Sequence, residues 1–233
     1  MRTVIGICII CGLLSGFLGM TIDVIKLKAK KNSGADHAVA AKAVPECGKL
    51  CDGSFWTNDE YTVLAEIQIE LDAGKDVMAR DEYAITPLHA AVRRGTPRHI
   101  QALLDAGADV MARDEYGNTP LHWAAQFGTS ANIQVLLDAG ADVMARDAVG
   151  NTPLHKAGSP EAMQLLLAAG ADVMARNEIG MTPLHKAAHY GYAEKIQALL
   201  TADADVMARD VSGSTPLHWA ALHDAPASIQ ALL

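Results

Sequence analysis

The sequence predicts an all-α fold, an α-solenoid of stacked pairs of short helices, and three observations carry that prediction. The first is a hexad opening on Thr-Pro-Leu-His. It reads TPLHAA at 86, TPLHWA at 119, TPLHKA at 152, TPLHKA at 182 and TPLHWA at 215, with offsets of 33, 33, 30 and 33. The second is Asp-Val-Met-Ala-Arg, which starts at 76, 109, 142, 172 and 205 with the same four offsets. Two markers that keep one period through one shared deletion of three residues define a repeat of 33. The third is helix punctuation inside each unit.

In the unit around Thr119, that residue is placed as an N-cap and Pro120 as the first helical residue, where no amide donor is needed. A short apolar helix through Leu121, Ala124 and Ala125 ends near Gly128. A second helix begins near Ser130 or Asn132, buries Ile133, Leu136 and Leu137, and stops at Gly140. Residues 142–151 cross to the next unit, with turn chemistry at Gly150-Asn151. Helices this short are not stable alone, so stacking must supply the core.

Composition narrows the function classes. Half of the 233 residues are apolar and a fifth are charged, which excludes wholesale disorder. Residues 1–44 hold six basic and two acidic side chains, whereas the rest hold 13 basic and 25 acidic, a net −12. So acidic a body does not bind nucleic acid non-specifically. Four cysteines are too few for a disulfide scaffold.

Val4 to Ile22 is a 19-residue run without a charge. As a helix it covers roughly 28 Å, close to the thickness of a bilayer core. Arg2 precedes it, and Lys26, Lys28, Lys30 and Lys31 follow. No convincing cleavage site lies close behind the run, so residues 1–31 read as a membrane anchor, with a cleaved signal as the alternative. Four lysines favour keeping their flank cytoplasmic. An apolar run near the start, a cysteine pair and cysteine-free repeats favour export, so the repeats are placed outside the cytoplasm. The alternatives are the cytoplasmic side, or secretion after cleavage. Gly12 and Gly16 form a GxxxG pair, a candidate face for self-association. Residues 32–52 read as a tether containing Cys47 and Cys51, a disulfide candidate because a spacing of four puts both thiols on one side of a helical turn.

The hexads and the 33-residue period resemble the ankyrin repeat, over about residues 53–233. The resemblance implies antiparallel helix pairs with a β-hairpin-like loop projecting from each unit, and units at about 53–80, 81–113, 114–146, 147–176, 177–209 and 210–233. The first is a degenerate cap. Its second helix aligns at Ile67–Asp76, and its first helix is placed around Phe55–Tyr61, with Phe55 and Trp56 where Leu and His stand elsewhere. The three-residue deletion after Ala157 shortens the first helix of its unit. The chain stops at Leu233 within a second helix, which reads as a fragment or as a face that meets a partner.

Binding residues in this family vary between otherwise alike units. Carried over by position, the loop tips give Tyr83, Ile85, Tyr116, Asn118, Ile179 and Met181. The ends of the first helices give Arg93, Arg94, Gln126, Phe127, His189, Tyr190, Leu222 and His223, and the shortened unit has no equivalent. The histidines His89, His122, His155, His185 and His218 are expected to bond backbone rather than metal, since units about 10 Å apart cannot share an ion. The arginines Arg80, Arg113, Arg146, Arg176 and Arg209 are expected to pair with neighbouring aspartates such as Asp114 and Asp147. The methionines of each DVMAR, and Trp123 and Trp219, are expected to pack unit on unit.

No phosphate loop, nucleophile elbow or paired zinc motif appears. The sequence therefore predicts a non-catalytic interaction scaffold without cofactor, binding an unidentified protein and tethered to a membrane through residues 4–22. The alternatives are a dedicated inhibitor of immunity type, and a metal-handling protein using the histidines and the cysteine pair.

Overall fold

A computed structural model describes residues 48–51, 55–57 and 60–233. Among them are eleven α-helices and no strands. The first helices of the units are α2 (Pro87–Arg94), α4 (Pro120–Phe127), α6 (Pro153–Lys156), α8 (Pro183–His189) and α10 (Pro216–Leu222). The second helices are α1 (Glu60–Asp72), α3 (Pro97–Asp105), α5 (Ser130–Asp138), α7 (Pro160–Ala168), α9 (Ala193–Thr201) and α11 (Pro226–Leu232). First helices pack on first helices and second on second, so the repeats form two helical layers over one core. Leu88, Leu121, Leu154 and Leu184 of one layer meet Ile100, Leu103, Ile133, Leu136, Leu166 and Ile196 of the other. All are closed to solvent, as the apolar spacing requires.

The Thr-Pro-Leu-His motif builds a cap and a joint together. The ring Nδ1 of each histidine accepts the backbone N–H of its own threonine at 3.1–3.3 Å. The threonine hydroxyl lies 2.8–3.0 Å from the same nitrogen. On the other side, Nε2 of His89, His122, His155 and His185 lies 3.0–3.1 Å from a carbonyl oxygen of the next unit, those of Asn118, Asn151, Met181 and Ser214. A carbonyl only accepts, so Nε2 carries the proton and these rings are the neutral Nε2–H tautomer. The expectation of backbone bonding holds.

The amino-terminal cap departs from expectation. A short 3₁₀ turn at Phe55–Thr57 stands where a first helix was expected around Phe55–Tyr61, another lies upstream at Gly48–Cys51, and Tyr61 already lies in α1. Trp56 is buried, and its indole N–H donates to the Leu50 carbonyl at 3.2 Å. Leu50 belongs to the core, so the folded domain reaches back into the stretch read as tether. Joining this cap to the array is a second Thr-Pro-x-His, Thr96-Pro97-Arg98-His99, at the start of α3. His99 accepts the Thr96 N–H at 3.1 Å and bonds the Glu60 carbonyl at 3.2 Å. The motif was visible in the sequence but hidden by Arg98 standing where the hexads have leucine.

The connecting loops close on themselves without forming strands. Asp114 Oδ1 accepts the backbone N–H groups of Tyr116 and Asn118 at 2.9 and 2.8 Å. Each tip also bonds the next: the N–H of Glu115, Ala148, Glu178 and Val211 donates to the carbonyl of Tyr83, Tyr116, Val149 and Ile179 at 2.9–3.1 Å. Here the arginine expectation is overturned. The guanidiniums of Arg80, Arg113, Arg146 and Arg176 donate across the unit boundary, to the carbonyls of Arg113, Arg146, Arg176 and Arg209 at 2.5–2.7 Å. The aspartates are engaged by backbone amides of their own turns, a closer supply of donors than a side chain on the far side of the loop. The methionines do join units: the Sδ atoms of Met78, Met111, Met144 and Met174 accept the N–H of Asp109, Asp142, Asp172 and Asp205 at 3.1–3.4 Å. Met207 is 63% exposed.

No helix among the described residues is long and apolar enough to cross a membrane. The expected anchor at 4–22, the Gly12/Gly16 pair and Cys47 lie outside the described residues. Cys51 is disulfide-bonded, so its Sγ meets the Ile85 carbonyl oxygen at 3.2 Å as a contact without a proton.

Candidate functional site

The three-residue deletion makes the most distinctive surface of the array. Helix α4 runs for eight residues, but α6 stops after four, and Ala157 turns the chain out of the helix. The Gly158 N–H donates to the Ala125 carbonyl at 2.8 Å. A Cβ at Gly158 would collide with the Gln126 carbonyl, so only glycine permits this close approach. The missing turn leaves a groove of about 510 Å³ between the ends of α4 and α8. Phe127, Tyr190 and Tyr192 line it with exposed rings, and Ala157, Gly158 and Met163 line it from the shortened unit.

Three lysines converge there: Lys156 from α6, Lys186 from α8 and Lys195 from α9. Lys156 pairs with Asp147 at 2.9 Å and donates to Asn118 Oδ1 at 2.5 Å. Burial alone would raise the Asp147 carboxyl, but hydrogen bonds from Lys156 and Asn151 outweigh it and hold the group below the ordinary range. Lys195 is only 8% exposed; it donates to the Ala157 carbonyl at 3.0 Å and lies 3.7 Å from the centre of the Tyr192 ring. Burial lowers its ammonium below the usual lysine value. Lys186 is half-buried and lowered first by burial and then by the neighbouring charge of Lys156. No carboxylate side chain lines the groove.

The histidine ladder supplies no chemistry. Both ring nitrogens of His89, His122, His155 and His185 are taken by hydrogen bonds. Burial pushes His122 and His155 down to about 4, so they are neutral near pH 7. Among the described residues, no group of three or more His, Cys, Asp or Glu side chains is placed to hold a metal ion.

A family profile described as ankyrin repeats, in three copies, matches residues 58–147 and 154–233. The chain belongs to the ankyrin-repeat family. No curated protein matches it. Ankyrin repeats are generally protein–protein interaction modules.

Within this ankyrin array, the tip and helix-end residues divide. Tyr83, Tyr116, Ile179, Phe127, Tyr190 and Leu222 are exposed large side chains, and Arg93, Arg94, Gln126 and His223 are also exposed. Ile85 and His189 are partly covered. Asn118 and Met181 are corrections: they are 8% and 3% exposed and present no binding surface. Asn118 faces inward because its amide closes the loop on Asp114 and receives Lys156. Met181 occupies the equivalent place one unit after the deletion, where its N–H donates to Asn177 Oδ1 at 2.9 Å.

The tryptophans join units, as expected. Trp123 donates to Asp114 Oδ2 at 2.9 Å and meets His89 of the preceding unit edge-on, with ring centres 5.7 Å apart. Arg93 lies over both Trp123 and Phe127, at 5.9 and 5.3 Å. Trp219 repeats the bond to Asp210 at 2.8 Å and packs against His189. The lysine groove had no counterpart in sequence reasoning. Its signals were the deletion itself, taken only as a shortened helix, and the lysine that two successive hexads share.

Proposed function

We propose that the chain is a non-catalytic scaffold that binds a protein across the exposed ends of its first helices and its loop tips. The observation that carries this reading is the row of solvent-facing aromatic rings, Tyr83, Tyr116, Phe127 and Tyr190, set along a surface whose backbone is locked unit to unit. Exposed aromatics on a rigid support provide interface energy at small entropic cost. Alanine at all four is expected to leave the circular dichroism spectrum and melting temperature close to wild type while abolishing capture of the partner. Undiminished capture by that variant moves the interface elsewhere.

The same reading tethers the scaffold to a membrane through residues 4–22, with the repeats on the extracytoplasmic side. It is supported by the uncharged 19-residue run, by the disulfide at Cys51 and by the absence of cysteine from residues 53–233. Thiol labelling of native protein tests it. Labelling of Cys47 and Cys51 only after reduction is the expected result; free reaction without reductant places the repeats in a reducing compartment.

A further inference from the structure

We infer that the groove opened by the deletion is a carboxylate-binding pocket, and that it takes an acidic segment of the protein partner. The inference rests on the scaffold reading above and deepens it. Three ammonium groups line the groove, and the Asp147 carboxylate beside it already pairs with Lys156 at 2.9 Å. Lys195 is almost wholly buried, yet its contacts are a backbone carbonyl and the face of Tyr192, neither of which neutralises it. Lys186 makes no ion pair among the described residues, and the carboxylate whose charge reaches it, Asp147, is already bound to Lys156. A cation held away from water without a counter-charge costs free energy that an incoming anion recovers.

The occupant is set by charge and by shape. The chain from residue 45 onward is strongly acidic, so a local cluster of three lysines, of which only Lys156 is ion-paired, is complementary to carboxylates. Phe127, Tyr190 and Tyr192 add apolar faces at the mouth, suited to the stem of a glutamate or to an apolar neighbour in the same segment. The pocket lies at this unit because α6 lacks the turn that α4 carries. A free oxyanion shares the charge, so the test separates the two sources.

The experiment titrates the full chain with a hexaglutamate peptide, with inorganic phosphate and with a hexalysine peptide, at low and high salt, by calorimetry. Expected are one-to-one binding of hexaglutamate that weakens as salt rises, and no binding of hexalysine. Lys186→Gln should weaken hexaglutamate binding about tenfold, as loss of one half-buried charge contact does. Lys195→Met provides a second, independent loss, and Lys75→Gln, an exposed lysine remote in sequence, should change nothing. Circular dichroism confirms that each variant folds. Absence of hexaglutamate binding, or equal binding by wild type and Lys186→Gln, overturns the pocket. One-to-one binding of phosphate that displaces hexaglutamate assigns the groove to a free oxyanion and overturns the partner assignment. Capture of the partner by a Lys186→Gln chain at full strength removes the groove from the interface but leaves the scaffold reading standing. Loss of capture in the four-alanine variant is the separate readout for that reading.

Discussion

The His122 ring N–H donates to the Asn151 carbonyl at 3.0 Å, while its other nitrogen accepts from Thr119 in the same unit. One side chain thus caps its own helix and ties the following repeat to it. Stability of the array is therefore concentrated at the joints.

Replacing His122 by leucine leaves the buried Thr119 N–H without a partner, while the Asn151 carbonyl loses its bond from the preceding unit but keeps the Asp147 N–H at 2.9 Å. One orphaned donor and one lost bond cost roughly 1–3 kcal/mol. His218 holds the same motif position but is exposed, so His218→Leu should cost less than half as much. Urea denaturation of the two variants checks this, and equal losses would show that the joint bond contributes nothing.

Acid should loosen the same joints. His122 and His155 titrate at about 4 when folded, against about 6.5 unfolded, because burial disfavours the charged ring. Between those values the unfolded chain binds more protons, so stability is complete above pH 6.5 and is lost as pH falls towards 4. Each group removes about 1.4 kcal/mol per pH unit across that window. Denaturation midpoints that stay level from pH 7 to pH 4.5 would contradict this.

Core truncation and local opening locate the weakest unit. Leu136→Ala in α5 removes a fully buried side chain and should cost about 2–5 kcal/mol. Hydrogen exchange should be fastest, among internal units, at residues 152–165, where α6 is only four residues long. Uniform protection through that stretch would refute the expectation.

Two positions invite stabilisation. Ala84 and Asp203 adopt φ of 58° and 61°, where the equivalent residues of other units, such as Gly117 and Gly140, are glycine. Left-handed backbone is costly for a residue with a Cβ. Ala84→Gly should therefore raise stability by about 1 kcal/mol, and Asp203→Gly by less, since aspartate tolerates this region better. A lower melting temperature for Ala84→Gly would overturn the argument.

Much of the architecture could be read directly because its signals are local. Thr119, Pro120 and His122 act within one helical turn, and Gly140 stops the helix that immediately precedes it, so caps and boundaries were present in a single unit and the period in their recurrence. The shortened α6 was legible for the same reason. The carried-over tip residues Asn118 and Met181 failed where a neighbouring structure decided the outcome: a loop position varies between units whether it faces water or a lysine of another repeat.

What the sequence by itself determined is the repeat and the helix boundaries, set by residues a few positions apart; the histidines were expected to bond backbone, but their neutral Nε2–H form follows from carbonyls of the next unit. Tertiary structure alone decided which acceptor each arginine finds, because Arg113 and the Arg146 carbonyl meet only when units stack. It also decided the lysine groove. Lys156 and Lys186 hold the same hexad position in successive units, but Lys195 lies outside the hexad, on a second helix, and belongs to no such row. They share one space because a missing turn in α6 lets side chains from α8 and α9 reach a gap that every intact unit fills with its own helix.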